Sequence, residues 1–123
     1  MADKAEIVKK YVASWHEPDP ELRRAAIAEL WSDQAVYRNS GAEFRGHEGI
    51  ANAVAEAYEA FIRKGYEFKV VKADSNHNAV RYTWEMVPRG GGEVASIGTH
   101  FAEFDAQGQI IQDHQFVDML PKL

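Results

Sequence analysis

The chain has 123 residues, of which 46% are hydrophobic and 27% charged, and its formal net charge is −5. These values predict one compact domain over residues 1–123, with enough apolar residues for a core. No cluster of basic residues is larger than a pair such as Lys9-Lys10 or Arg23-Arg24, which argues against a nucleic-acid surface. The absence of cysteine excludes disulfides and thiolate chemistry. The charged N-terminus and the lack of an apolar run of about 20 residues predict a cytoplasmic protein without a membrane partner.

The first half of the chain predicts three helices and one short strand. Apolar residues from Ile7 to Trp15 recur at helical spacing, and Pro18 and Pro20 end that helix. In chain order we expect a helix over Ala5–His16, a helix over Glu21–Trp31, a strand over Ala35–Arg38, an irregular link over Asn39–Gly46 and a helix over Gly46–Arg63.

The second half predicts four consecutive strands, Tyr66–Ala73, Asn78–Pro88, Glu93–Asp105 and Gln109–Leu120. Helices followed by antiparallel strands indicate an α+β fold, with the three helices on one face of a strongly curved, mainly antiparallel sheet. Such a sheet forms a cone that is open at one end. We expect a small apolar ligand to bind in that mouth.

A polar pair falls within the last two strands. If the turn at residues 105–108 is tight, Phe104 faces Gln109 and His100 faces Asp113. Residues directly opposite each other have Cβ atoms within about 5 Å, close enough for a carboxylate to orient an imidazole. A slip of one residue would place His100 opposite His114 instead. The pair is therefore either an acid–base dyad or a polar pair that only satisfies hydrogen bonds.

Strand alternation separates an inner face from an outer face. Val80, Tyr82, Trp84 and Met86 form one apolar face. On the opposite face, Phe101 and Phe116 alternate with polar residues, and two exposed phenylalanines would form a costly patch. We therefore expect a homodimer through the outer sheet face.

Four sequence segments together form a recognisable pattern: Lys10-Tyr11-Val12-Ala13; Leu30-Trp31-Ser32-Asp33-Gln34-Ala35-Val36-Tyr37; Phe44-Arg45-Gly46-His47-Glu48-Gly49-Ile50; and Phe104-Asp105-Ala106-Gln107-Gly108-Gln109-Ile110-Ile111. In their order and spacing they resemble the nuclear transport factor 2-like superfamily, which includes ketosteroid isomerases, SnoaL-like polyketide cyclases and limonene-epoxide hydrolases. The resemblance implies a cone-shaped α+β barrel. It says little about activity, because this fold hosts many functions.

The resemblance to ketosteroid isomerases implies roles for three positions. Tyr11 falls at the oxyanion-hole tyrosine, Asn39 at the aspartate base and His100 at the second oxyanion donor. An amide cannot accept a proton at neutral pH, so Asn39 cannot be that base, and it also suits a turn before Ser40-Gly41. The three functional positions of limonene-epoxide hydrolases fall at Tyr82, Trp84 and Gln115, and none is kept.

Two classes of function follow. One is a cofactor-independent isomerase, cyclase or hydrolase that uses acid–base chemistry on an apolar oxygenated substrate, with His100, Asp113 and Tyr11 as catalytic residues. The other is a non-catalytic ligand-binding or assembly module. Tyr11 alternatively serves as a core aromatic. We expect no metal, because the other histidines are scattered. The expected substrate-binding residues are Asn39, Gln115, Trp15, Tyr37, Tyr58, Tyr82, Trp84, Met86 and Val117.

Overall fold

The structure is a computed structural model that describes residues 3–122. The ends of the expected domain, Met1-Ala2 and Leu123, lie outside the described residues. Three helices, one π-helical turn and six strands are formed by residues 3–122. In chain order they are α1 (Lys4–Ser14), α2 (Pro20–Leu30), β1 (Trp31–Arg38), β2 (Glu43–Arg45), α3 (Gly46–Ala57), the π turn (Tyr58–Ile62), β3 (Tyr66–Asn76), β4 (Ala79–Pro88), β5 (Ser96–Phe104) and β6 (Ile110–Met119).

The strands form one sheet in the order β2-β1-β6-β5-β4-β3. The pairing of β1 with β6 is parallel, and the other pairings are antiparallel. Helix α1 packs against β3 and β4, and α3 packs against β1 and β2. The expected α+β cone fold, with helices on a curved and mainly antiparallel sheet, is confirmed.

Local sequence signals position the first two helices. Asp3 caps α1 by accepting a hydrogen bond from the Ala5 N–H, and Asp19 caps α2 in the same way through the Glu21 N–H (3.0 Å). Proline at the first position of α2 is favourable, because its missing N–H has no helical partner there.

The link expected over residues 39–46 is not wholly irregular. The Asn39 side chain accepts a hydrogen bond from the Gly41 N–H (2.9 Å), and this turn folds the chain back on itself. Strand β2 then pairs with the end of β1, where Arg38 and Glu43 form an ion pair at 2.7 Å. Strand β1 begins directly after α2 rather than at Ala35.

The third helix is also not one regular α-helix as expected. Its α-helical part ends at Ala57 and continues as a π turn over Tyr58–Ile62. A π turn adds a residue within the helix and so changes which side chains face the sheet. Beyond it, Gly65 adopts φ 101°, a conformation that favours glycine.

The expected register between β5 and β6 is wrong by two residues at the polar pair. Asp105 faces Gln109 across the hairpin turn, and an extra residue in β6 then falls between the pairs Phe104–Ile110 and Glu103–Gln112. His100 consequently faces Gln115, and Asp113 faces Ala102. Between Gln112 and Val117 the shift is two residues, which keeps these side chains on their expected faces, so Asp113 stays on the same face as His100.

The close approach of Gly98 to Trp84 gives a test of this packing. A Cβ atom at Gly98 would overlap the indole ring of Trp84, which is buried and cannot swing away. We expect Gly98→Ala to lower the free energy of unfolding by about 1–3 kcal/mol, as overpacking does. Urea unfolding measures the change. Gly90→Ala is the matched control, because its Cβ would meet open space, and a loss of equal size there would contradict the assignment.

Candidate functional site

A cavity of about 310 Å³ lies between the helices and the inner face of the sheet. That volume lies at the lower end of the range for small-molecule sites. Eight of the residues expected to bind substrate or to catalyse line it: Tyr11, Trp15, Tyr37, Asn39, Trp84, Met86, Gln115 and Val117. They lie on α1, β1, β4 and β6 or directly after α1 and β1, so the cavity depends on the whole fold.

Four other expected site residues lie outside the cavity lining. His100, Asp113 and Tyr82 are fully buried, behind the rings of the wall. The stacked ring of Tyr37 separates His100 from the cavity on one side, with centroids 6.2 Å apart. Tyr58 was expected in the pocket but packs under Arg23, whose guanidinium carbon lies 4.9 Å from the ring centre.

Sequence reasoning missed several residues of the wall, chiefly Phe44, Phe61, Phe68, Ser96 and Glu56. Phe61 lies on the expected apolar face of the third helix, so its periodicity could have identified it. Phe44 fell within the expected irregular link, and only the formation of β2 brings its ring against Tyr37 (5.8 Å between centroids).

The three buried residues form a hydrogen-bonded network with Trp84. Oδ2 of Asp113 accepts from Nδ1 of His100 (2.9 Å) and from the hydroxyl of Tyr82 (2.9 Å). The indole N–H of Trp84 donates to Nε2 of His100 (2.9 Å). The rings of Tyr82 and His100 also stack at 4.5 Å. The network joins β4, β5 and β6 beneath the cavity wall.

The hydrogen bond from Trp84 fixes the tautomer of His100. An indole N–H can only donate, so Nε2 must accept and the ring proton must be on Nδ1. The imidazole is therefore neutral, and both of its nitrogens have partners. A base needs a free lone pair within reach of the substrate. In this arrangement the lone pair on Nε2 is taken by Trp84.

The second carboxylate oxygen of Asp113, Oδ1, is buried and has no hydrogen-bond partner within residues 3–122. The negative charge acts on nearby phenols. Burial raises the pKa of Tyr11 and Tyr82 well above 10, and the Asp113 carboxylate raises them further because it would repel a phenolate. Burial, supported by the same charge, also raises the pKa of Tyr37.

The polar groups of the wall differ in whether they are available to form a hydrogen bond with a ligand. The Asn39 oxygen is engaged in the turn that precedes β2, and the Ser96 hydroxyl donates to the Met119 carbonyl (2.8 Å). Tyr11 is protonated at neutral pH, since burial raises its pKa above an ordinary value that is already near 10, and its hydroxyl can donate a hydrogen bond. Its hydroxyl, with the Gln115 amide, provides polar character deep in an aromatic wall.

Neither a metal centre nor a membrane span is found in the part of the chain that the structure describes. No group of three or more His, Cys, Asp or Glu side chains there is placed to hold a metal ion. No helix there is long and apolar enough to cross a membrane. The expected absence of cofactors stays a prediction.

The sequence model of the SnoaL-like domain matches residues 8–112, most of the chain. The chain belongs to the SnoaL-like domain family. This match confirms the resemblance found in the sequence. No curated protein matches the chain.

Solved structures of SnoaL-like proteins share the fold. A proposed isomerase of the SnoaL-like family from Agrobacterium tumefaciens is 27% identical, with a TM-score of 0.83, and the match covers 92% of this chain and 95% of that one. A proposed SnoaL-like polyketide cyclase from Jannaschia sp. is 18% identical, with a TM-score of 0.75 and coverage of 94% and 85%. A proposed ketosteroid isomerase from Kribbella flavida is 13% identical, with a TM-score of 0.70 and coverage of 98% and 81%.

The three buried tyrosines predict a loss of stability in alkali. Their pKa values are raised in the folded protein, so the unfolded chain loses these protons first as the pH rises past about 10. The stability that each raised pKa contributes is fully present below pH 10. Above pH 10 the free energy of unfolding should fall by about 1.4 kcal/mol per pH unit for each tyrosine. Urea unfolding between pH 9 and 11 measures the slope. Tyr82→Phe should make it shallower, and an unchanged slope would contradict this account.

Proposed function

We propose that this SnoaL-like protein binds a small, mostly apolar, oxygen-bearing molecule in the cone cavity. The observation that carries the proposal is the cavity itself, which has aromatic walls and few polar groups. Its volume of about 310 Å³ suits a ligand of one or two rings rather than a large one.

In this proposal the wall residues have different roles. Tyr11 donates a hydrogen bond to a ligand oxygen, and Gln115 and Asn39 orient the ligand. The apolar side chains provide shape and contact area. They are Trp15, Tyr37, Trp84, Met86 and Val117. Tyr82, His100 and Asp113 hold the strands that carry these side chains.

A second candidate function is proton transfer, as in an isomerase or cyclase. Its support is the His100–Asp113 hydrogen bond of 2.9 Å and the proposed isomerases and cyclases among the structural relatives. His100 would act as base, Asp113 would orient it, and Tyr11 would donate to a developing enolate oxygen. The Trp84 indole would first have to leave Nε2 of His100. The geometry therefore favours binding.

The binding proposal predicts a selective effect of Tyr11. Cyclohexanone should bind with a saturable change in tryptophan fluorescence, because Trp15 and Trp84 line the cavity. Tyr11→Phe should weaken this binding about 2- to 10-fold, the effect of one hydrogen bond, and should leave the binding of methylenecyclohexane, which lacks the oxygen, unchanged. Tyr58→Phe is the matched control outside the cavity. If neither compound saturates, the cavity is not a ligand site of this class.

Deuterium exchange distinguishes the second candidate in the same samples. A proton-transfer enzyme should accelerate exchange at the carbons beside the ketone of cyclohexanone in heavy water, and His100→Asn should abolish the acceleration. We expect cyclohexanone to exchange its hydrogens no faster with the wild-type protein than with His100→Asn. Faster exchange by the wild-type protein would favour catalysis over binding alone.

We also propose a homodimer through the outer sheet face. Phe101 and Phe116 are 43% and 59% exposed, and they are diagonal neighbours on the outer face of β5 and β6. A two-fold interface would bury the same patch on both subunits. Fully burying each phenylalanine stabilises by about 1.5–3 kcal/mol.

The dimer is tested by light scattering at tens of micromolar protein. We expect the wild-type chain to have twice the monomer mass. Phe101→Asp with Phe116→Asp should give a folded monomer, because four like charges would meet across the interface. Leu22→Asp, at an exposed apolar residue on α2, is the control and should remain dimeric. A monomeric wild-type protein would refute the proposal.

A further inference from the structure

The charges around the cavity have one sign. Glu56 lines the mouth, and no lysine, arginine or histidine lines the wall among the residues that the structure describes. Cavities that bind carboxylates or phosphates normally place an arginine, a lysine or a helix N-terminus against the anion. The lining therefore argues against an anionic ligand.

The buried carboxylate beneath the wall has the same sign. Asp113 is fully buried, and its two hydrogen-bond donors, His100 and Tyr82, are both neutral groups. Oδ1 has no partner within residues 3–122. A buried charge is costly unless it is paired. Within the described residues, no cation contacts this carboxylate, since the salt-bridge geometry at Asp113 involves only His100, which is neutral because of Trp84.

The carboxylate lies close enough to the cavity for its charge to act there. Asp113 pairs in register with Tyr37 on the neighbouring strand, and Tyr37 lines the cavity. The pKa of Tyr11, another wall residue, is raised by burial and then by the Asp113 charge. A field that disfavours a phenolate at Tyr11 disfavours any anion in the adjoining space and favours a cation there.

The wall itself suits a cation with an apolar body. Seven aromatic side chains line the cavity: Tyr11, Trp15, Tyr37, Phe44, Phe61, Phe68 and Trp84. Aromatic rings attract ammonium groups through their quadrupole, and the attraction is strongest when the site is desolvated. Grouped aromatic rings with nearby carboxylates are a recurring way to bind substituted amines.

We propose that the ligand of this cavity is a positively charged amine, tertiary or quaternary, whose apolar body carries the oxygen that Tyr11 contacts. The inference rests on the proposed function, since it specifies the ligand of the same cavity. The aromatic wall holds the substituents of the nitrogen, Asp113 supplies the compensating charge from beneath, and Glu56 attracts the cation to the mouth. An anionic intermediate would be disfavoured in the same place, which weighs against enolate chemistry.

A matched set of three probes tests the charge of the ligand. Benzyltrimethylammonium is the cation, neopentylbenzene is its neutral carbon analogue of the same shape, and phenylacetate is an anion of similar size. Binding is measured by tryptophan fluorescence and confirmed by calorimetry. We expect the cation to bind at least about tenfold more tightly than the neutral analogue, and phenylacetate to bind most weakly.

Two variants locate the source of the preference. Asp113→Asn keeps the shape and removes the charge, so the preference for the cation should fall to about threefold or less while neopentylbenzene still binds. Glu56→Gln, at an exposed position, should lower the preference for the cation less than Asp113→Asn does. Its effect should be larger at low salt than at high salt, because salt screens exposed charges. Circular dichroism checks that Asp113→Asn folds. If it does not, the wild-type comparison of the three probes is decisive by itself.

Failure of this inference is distinct from failure of the proposed function. If neopentylbenzene binds as tightly as benzyltrimethylammonium, the cavity is a ligand site but the charge argument is wrong. If phenylacetate binds most tightly, the charge argument is also wrong. If none of the three binds and cyclohexanone does not bind either, the cavity is not a ligand site and both proposals are refuted.

Discussion

The rest of the site depends on one carboxylate oxygen of Asp113, which accepts two hydrogen bonds. His100 and Tyr82 donate to it from two neighbouring strands, and all three side chains are fully buried. Burying such a group is costly unless its partners are well placed, so the network specifies one arrangement of the strands. The wall of the cavity is built directly on this arrangement, because Trp84 is hydrogen bonded to His100.

The network also limits what the cavity can do. A histidine beside an aspartate in this fold suggests an acid–base pair, and the two side chains do meet. However, Trp84 takes the remaining lone pair of His100, and neither member of the pair lines the cavity. The two residues that would form an acid–base pair instead support an aromatic wall. Membership of the SnoaL-like family is therefore consistent with a binding protein, because this fold supports many functions.

The sequence predicts the fold well because the fold depends on patterns that a single chain displays. Alternation in β4 places Tyr82 and Trp84 on the inner face, and the helical period of α1 directs Tyr11 inward. The register between β5 and β6 could not be predicted, because the one-residue shift at the hairpin turn and the extra residue in β6 depend on how the whole sheet curves. His100 and Asp113 still meet, because the two irregularities together shift β6 by two residues, an even number.

Other features of the site were beyond prediction for a different reason. The position of Phe44 depends on β2, a strand of three residues whose pairing with β1 is decided by tertiary contacts rather than by its own sequence. The displacement of Tyr58 from the cavity follows the start of the π turn, which no helical periodicity indicates. The hydrogen bond from Trp84 to His100 depends on rotamers in neighbouring strands, so the sequence could place both residues on one face but not assign the tautomer.

The central claim is that His100 is a neutral, fully paired member of a structural network rather than a base. Nitrogen-15 NMR of the imidazole at neutral pH, with and without saturating benzyltrimethylammonium or cyclohexanone, tests it most directly. We expect the proton on Nδ1 and an unprotonated Nε2 in every sample, and Trp84→Phe should alter the Nε2 resonance more than Trp31→Phe, whose ring packs against Tyr11. An imidazolium, a proton on Nε2, or a tautomer that changes when the ligand binds would contradict the account and return His100 to the role of acid–base catalyst.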